Sequence, residues 1–301
     1  MSAPRVIGVD LGGTKISSAL VERDGAVSAR RERETPVSSQ EGLLAALTGE
    51  VEALLAAGPA ALGIAIPSRF DQQTGRAVGS VNVPLADVDV AELLRSRFGL
   101  PVGVENDGNA AALAECRLGA GRGAADLVML TLGTGVGGGL VLGGRLYRGW
   151  AELGHMVVVA GGPPCFGSCG GHGHLEAFAS GQAVDRLAAA ELGDGATAHD
   201  LVEAARAGGG RAAELLAGVG RLLGVGIGSL INIFDPDVVV VGGGFGAAAG
   251  ELVLAPAREA AVEEALAPAA ERVRIVNAEL GSAAGLAGAG LVGFEALDGE
   301  R

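Results

Sequence analysis

Cationic side chains are scarce in this 301-residue sequence: 22 Lys and Arg stand against 35 Asp and Glu, a formal net charge of −13. Nucleic acids and anionic membrane surfaces are held by clustered Lys and Arg, so neither is an expected partner. Any phosphate ligand has to be held locally, by backbone and metal. Cysteine is scarce as well. Three thiols, odd in number and unevenly placed, make no disulfide framework and point to a reducing cytoplasm. No charged segment leads into an apolar stretch and a small-residue cleavage site at the start, so no export is expected. Long apolar runs reduce to one, Leu215 to Phe234, about the 20 residues a membrane span needs. It contains Arg221 and Asn232, runs into Asp235-Pro236-Asp237, and spaces glycines at 220, 224 and 228 as close-packed helices do. It reads as a buried helix, because polar groups are costly in lipid. Two nucleotide signatures are also missing: no G-K-[ST] completes a Walker A, and no G-x-G-x-x-G opens a helix.

Glycine, in contrast, is abundant. The 53 glycines show no collagen-like period and fall between apolar runs, as turns and points of close approach. The length suits two domains. Val6 to Val9 is a short apolar run ending at Asp10, followed by Leu11-Gly12-Gly13-Thr14-Lys15 and a second run, Ile16 to Val21. Two runs around a glycine turn read as a β-hairpin. The plan returns about 120 residues on, where Leu127 to Leu130 leads through Thr131-Leu132-Gly133-Thr134-Gly135-Val136-Gly137-Gly138-Gly139 to Leu140-Val141-Leu142. A repeated hairpin implies a duplicated architecture, two half-molecules with the active site expected in a cleft. Elsewhere strands at about 62–66, 102–104, 238–241 and 273–276 alternate with helices at about 40–57, 90–98, 108–118, 175–192, 199–207, 211–234, 250–265 and 283–297. That alternation means an α/β fold.

Soft metal ligands are concentrated in one stretch. Between Glu152 and Glu176 lie three of the four histidines (His155, His172, His174) and two of the three cysteines (Cys165, Cys169), spread through a Gly/Pro-rich loop that cannot form one helix or strand. Such a loop can fold back around a tetrahedral Zn²⁺, which accepts Cys and His. The carboxylates of Glu152 and Glu176 are left for another task.

Each glycine turn has a bland reading beside a chemical one. D-L-G-G-T-K places Asp10 at a strand end beside backbone that can approach a phosphate closely, yet a glycine hairpin can be only a hairpin. L-G-T-G-V-G-G-G is richer in glycine than a plain turn needs, and the pair together favours a nucleoside triphosphate. V-V-V-V-G-G-G-F, ending in Gly242, Gly243 and Gly244, admits either an adenosine pocket or a tight strand-to-helix turn. Asp107, in the turn of E-N-D-G-N, can accept a proton from an attacking hydroxyl or can merely cap the next helix, a task Asn106 could equally take.

Taken in order, D-L-G-G-T-K, E-N-D-G-N-A-A-A-L-A-E, L-G-T-G-V-G-G-G, E-L-G-H and the Cys/His loop ending in L-E-A cover nearly the whole chain. Together they resemble the bacterial ROK family (repressors, open reading frames and kinases), and its glucokinases above all. The resemblance implies an actin-like (ribonuclease H-like) ATPase fold of two α/β domains with an interdomain cleft. One domain is 1–106, joined by the C-terminal helix at about 284–301; the larger is 107–283 and carries the Cys/His loop. It implies ATP and Mg²⁺ as cofactors, transfer of a phosphoryl group to a hexose, and a homodimer or dimer of dimers. Asp107 would be the catalytic base, and Asn82, Asn106, Glu152, His155 and Glu176 would hold sugar hydroxyls, beside the loop from Gly63 to Ser68. Asp10, Gly12, Gly13, Thr14 and Lys15, with Thr131, Gly133, Thr134 and Gly135, would surround phosphates and metal, and Gly242, Gly243 and Gly244 would lie near the adenosine.

Two departures from the family pattern stand out. The usual C-x-C-G-x-x-G-C is C-x-x-x-C-G-x-x-G-H here, so His155, Cys165, Cys169 and His174 become the expected structural zinc ligands, the alternatives being His172 as a substitute ligand or a loop without metal. Pro67 is followed by Ser68 where glycine is common, which bears on the choice among glucose, mannose, fructose, allose and N-acetylhexosamines. Polyphosphate stays open as an alternative donor. The family's sugar-responsive repressors carry a DNA-binding segment ahead of this body; Arg5 already begins the first strand, and the acidic balance opposes DNA.

Overall fold

The computed structural model describes residues 3–71, 74–80, 83–167 and 169–299. The fold separates into two compact units, Met1–Ala114 with Ala283–Arg301, and Glu115–Ser282.

The first unit holds strands β1 (Val6–Leu11), β2 (Lys15–Val21), β3 (Val27–Glu34), β4 (Leu62–Ile66), β5 (Arg69–Phe70), β6 (Ala77–Gly79) and β7 (Val102–Asn106). Its helices are α1 (Gln40–Leu55), α2 (Val90–Phe98) and α3 (Asp107–Leu118), whose last turn crosses into the second unit. The main sheet runs β3-β2-β1-β4-β7: an antiparallel meander of the first three, then two strands parallel to β1. Ile7, Val9, Leu11, Ile64 and Ile66 form a core with Leu43 and Leu47 of α1. Each such side chain contributes about 1.5–3 kcal/mol on burial. The other face of the sheet is covered by the last helix of the chain. A Cβ at Gly63 would stand 1.8 Å from the Ala289 carbonyl oxygen, so glycine lets that helix rest directly on the strand backbone.

The second unit repeats the plan with β8 (Leu127–Leu132), β9 (Val136–Leu142), β10 (Arg145–Leu146), β11 (Val238–Gly242) and β12 (Arg274–Asn277). Its sheet order, β10-β9-β8-β11-β12, and its strand directions match the first strand for strand. The duplication read from the two glycine hairpins is therefore present in the topology. A single helical turn at Leu153–His155 leads into the Cys/His loop, followed by α4 (Glu176–Ala179), α5 (Gly181–Leu192), α6 (Ala198–Arg206), α7 (Gly210–Phe234), α8 (Gly243–Ala249), α9 (Glu251–Glu264) and α10 (Ala269–Arg272). Helix α11 (Ala284–Asp298) then returns to the first unit.

Helix α7 is long and apolar enough to cross a membrane. In this fold Leu216, Leu223, Ile227 and Ile231 lie in the core of the second unit. Its glycine stripe meets α9, for a Cβ at 220 or 224 would stand 2.3 or 2.4 Å from the Val253 or Ala257 carbonyl oxygen. The 4-residue spacing of those glycines was the signal for this contact.

Several elements depart from the sequence reading. Strand β3 (V-S-A-R-R-E-R-E) carries no apolar alternation because it is an edge strand exposed along its whole length, a charged rim of the kind that prevents further strand pairing. The helix read at 175–192 is two helices, broken at buried Ser180, whose side chain accepts the Ala183 N–H and caps α5. The turn after β11 forms a short helix of its own, α8, which ends at Gly250 with φ +53°.

Candidate active site and metal centre

In the first unit, Asp10 is the penultimate residue of β1, and Asn106 and Asp107 close β7 and open α3. Since β1, β4 and β7 are parallel, these residues share the carboxyl edge of one sheet. Local hydrogen bonding divides the tasks at 106 and 107. Asn106 Oδ1 accepts the N–H groups of Gly108 (2.9 Å) and Asn109 (3.2 Å), so Asn106 is the helix cap. Its Nδ2 donates to the Ser68 carbonyl at 3.2 Å. Asp107 is exposed, and its Oδ1 shares the Gly108 N–H at 2.9 Å. Burial, and secondarily the Asp107 charge, push the Asp10 carboxyl up to about 6. A carboxylate so placed gains from a neighbouring cation.

The first glycine turn is closed by the Gly12 N–H on the Lys15 carbonyl (2.9 Å) and by the Thr35 hydroxyl on the Gly12 carbonyl (2.7 Å). Gly13 is half-buried and Thr14 exposed. Lys15 Nζ lies 2.9 Å from Glu32 Oε1 on β3, a partner the sequence reading missed along with the strand. Ser68 is buried, with its hydroxyl donating to the Gly79 carbonyl at 3.1 Å. It braces β6 and, through its own carbonyl, Asn106. Asn82 lies outside the described residues.

In the second unit, the turn from Thr131 to Val136 is held from one side by the segment after the Cys/His loop. The Gly181 N–H donates to the Gly133 carbonyl (2.7 Å), the Gln182 N–H to the Thr134 carbonyl (3.3 Å), and the Val136 N–H to Glu176 Oε2 (2.9 Å). Thr134 is exposed, and Gly135 is half-buried beneath the Glu176 carboxylate. Gly242 ends β11 opposite Thr131 of β8. Gly243, at φ +85°, makes the tight strand-to-helix turn against Leu132, whereas Gly244 is exposed with open space where a Cβ would be.

The ligand atoms of His155, Cys165, Cys169 and His174 all lie within 4.8 Å of one another. The two Nδ1 atoms are 3.3 Å apart, and Sγ to Nδ1 distances are 3.4 Å for Cys169 and His174, 3.6 Å for Cys169 and His155, and 3.7 Å for Cys165 and His155. A tetrahedral zinc with Zn–N of about 2.0 Å and Zn–S of about 2.3 Å separates two nitrogens by about 3.3 Å and a nitrogen from a sulfur by about 3.5 Å. The donor set fits that ion. His172 is exposed and outside the cluster, pairing through its backbone with Pro164. Burial, and among neighbouring charges Glu176, push the Cys165 thiol up to about 12; a bound cation acts in the opposite sense and deprotonates a coordinating thiol. Glu152, at the start of the helical turn that ends in His155, is exposed.

Three buried acids, Glu50, Glu105 and Glu115, were not singled out from sequence. Glu115, fully buried near the end of α3, accepts the N–H groups of Ala120, Glu279 and Leu280 at 2.9, 3.1 and 2.8 Å. It ties two segments 164 residues apart, a role no local pattern announces. A cavity of about 620 Å³ lined by Arg122, Asp126, Asp235, Asp237, Arg272 and Arg274 lies at the amino ends of β8, β11 and β12, opposite the glycine turns. Of its charges, Arg272 pairs with Asp235 at 3.1 Å, and Arg122 with Glu279 outside the lining at 3.2 Å.

Two sheets of one strand order, each opening on a hairpin around a glycine turn, define the two-domain actin-like ATPase class, shared with the solved structures that follow. Within that class, the chain belongs to the ROK family, whose profile matches residues 6–293. It is 35% identical over 309 residues to the glucokinase of Streptomyces coelicolor, covering 94% of this chain and 95% of that one. A ROK hexokinase from Thermus thermophilus is 36% identical with a TM-score of 0.83, covering 98% of this chain and 99% of the other. A ROK family glucokinase from Streptomyces griseus, solved in complex with glucose and AMPPNP, is 35% identical with a TM-score of 0.81, covering 97% and 99%.

Proposed function

We propose that this protein is an ATP-dependent glucokinase that transfers the terminal phosphoryl group of ATP in line to the primary hydroxyl of glucose, in the cytoplasm. The observation that carries the residue assignment is the division of labour at the start of α3: Asn106 caps the helix, so the Asp107 carboxylate is left exposed at the sheet edge it shares with Asp10. Asp107 takes the proton of the attacking hydroxyl. Phosphoryl transfer asks chiefly for positioning and charge stabilisation, so an ordinary carboxylate suffices as base.

The sugar hydroxyls are held by Glu152, Glu176, the Nε2 side of His155 and the second amide hydrogen of Asn106, together with Asn82. Asp10 and the turn of Gly12, Gly13 and Thr14 face the phosphates, as do Thr131, Gly133, Thr134 and Gly135. Gly244 and its neighbours lie against the nucleoside. Mg²⁺ neutralises phosphate charge when bound, and Asp10 is the carboxylate suited to it. A structural zinc on His155, Cys165, Cys169 and His174 orients the loop that carries His155 and Glu176; His155 uses Nδ1 for the metal, which leaves Nε2 for a hydroxyl.

The test is ATP consumption by the purified protein with Mg²⁺ against glucose, mannose, fructose, allose, N-acetylglucosamine and N-acetylmannosamine. A dominant response to glucose is expected. A dominant response to another sugar sinks the choice of glucose, and no response to any sugar sinks the kinase reading.

A further inference from the structure

We propose that the Cys/His loop and the second glycine turn act as one mechanical element joined by Glu176, so that a metal on His155, Cys165, Cys169 and His174 sets the conformation of residues 133–136. Of the two oxygens of this carboxylate, Oε2 accepts the Val136 N–H at 2.9 Å, while Oε1 lies 3.5 Å from the Cys165 Sγ, a thiol contact that a metal-bound thiolate gives up, so the metal acts on Glu176 through His174, two residues before it. The fit is close, for a Cβ at position 135 would stand 2.4 Å from Oε2. The carboxylate therefore cannot shift far without the turn shifting too. Two further bonds, Gly181 N–H to the Gly133 carbonyl and Gln182 N–H to the Thr134 carbonyl, hold the same turn from the same segment. At its other end that segment begins two residues after His174, a member of the ligand cluster.

Within the loop the Cys165 N–H reaches the Gly171 carbonyl (2.8 Å) and the Gly173 N–H the Pro163 carbonyl (2.8 Å), while the side chains of Cys169 and His174 meet only at the ligand cluster. Four coordinate bonds fix Cys165 and His174, and hence the end of the segment that bears Glu176. Glu176 is in this respect a positioning residue. The metal is then felt at the phosphate side of the site as well as through His155. The inference rests on the zinc reading above and, for its effect on nucleotide, on the reading of residues 133–136 as a phosphate turn.

The experiment compares backbone amide exchange at residues 133–136 in zinc-loaded protein, in chelator-stripped protein, and in Glu176→Ala and Glu176→Gln, without sugar or nucleotide. Circular dichroism verifies the fold, and metal analysis the zinc content. Exchange is expected to rise about tenfold in stripped protein and in E176A, and to stay within about threefold in E176Q, which keeps an acceptor for Val136. Added zinc should restore protection in the stripped protein. Unchanged exchange in folded stripped protein overturns the proposal, as does unchanged exchange in E176A or an inability of the protein to bind zinc. Should stripping unfold the protein, E176A decides, since all four ligands remain in place. A non-hydrolysable ATP analogue is then titrated by calorimetry without sugar, with about tenfold weaker binding expected wherever exchange rises. Coupled exchange in a protein that binds no analogue supports the mechanical link and sinks the nucleotide reading instead.

Discussion

Asp10 and Asp107 stand on the same carboxyl edge of the first sheet, and the Asp107 charge is the second cause, after burial, of an Asp10 carboxyl raised to about 6. The folded protein thus binds the Asp10 proton more tightly than the unfolded chain, whose carboxyl keeps the ordinary value of 3.8. The stability due to this proton is full below pH 3.8 and is lost as pH rises through about 6. Above pH 7 the charged Asp10 is a net cost to folding. Asp10→Asn is therefore expected to be more stable than the parent at pH 8 by about 1 to 3 kcal/mol, with the difference vanishing near pH 4. Urea unfolding at the two pH values measures this. If Asp10 serves Mg²⁺ as proposed, turnover of the same variant should fall at least about tenfold, because an amide is a poor Mg²⁺ partner.

Asp107→Asn and Asn106→Ala separate chemistry from capping. Asparagine at 107 keeps the shape and the bond to Gly108 but cannot take a proton, so kcat should fall about 10²- to 10⁴-fold with binding of glucose and ATP nearly unchanged. Alanine at 106 removes the acceptor for Gly108 and Asn109 and should cost about 1 kcal/mol of stability, seen as a lower thermal midpoint. Near-normal turnover in D107N would refute the base.

Much of the fold was legible because glycine turns and apolar runs are local signals. The hairpins at 6–21 and 127–142 could be read residue by residue, and their repetition announced the matched sheets. Strand β3 could not, since an edge strand exposed on both faces has no period to detect. The capping ambiguity at 106 and 107 was visible in sequence, yet its outcome depends on backbone geometry. The cluster of four ligands was legible as residue types, and His174 stood ahead of His172 already in the sequence because it occupies the place of the family pattern's last cysteine; the loop turns that imidazole inward. Contacts such as Val136 with Glu176, or Glu115 with Leu280, join residues 40 and 165 apart and leave no trace in a local pattern.

The ligand set predicts opposite behaviour for neighbouring histidines. His174→Ala should lose zinc, with metal analysis falling from about one ion per chain towards none and a lowered thermal midpoint. His172→Ala should keep the metal, since its ring lies outside the cluster. Equal zinc in both variants would show that the chain uses another ligand.

Gly243 and Gly244 make a paired test of the third glycine group. At Gly243 a Cβ would stand 2.4 Å from the Leu132 carbonyl oxygen, in a backbone at φ +85° that strains any L side chain. Gly243→Ala should therefore destabilise the protein by about 2 kcal/mol or more, whatever the ligand. At Gly244 nothing lies within 4 Å and φ is outside the left-handed region, so alanine should fold with an unchanged thermal midpoint. If the nucleoside packs against this turn, the new methyl group takes space that the ligand needs. The KM for ATP should then rise about fivefold or more while the KM for glucose stays unchanged, a loss of about 1 kcal/mol from one blocked contact. Steady-state kinetics with each substrate varied in turn gives both values. An unaltered KM for ATP in G244A would leave the glycines as a strand-to-helix turn and move the nucleoside elsewhere.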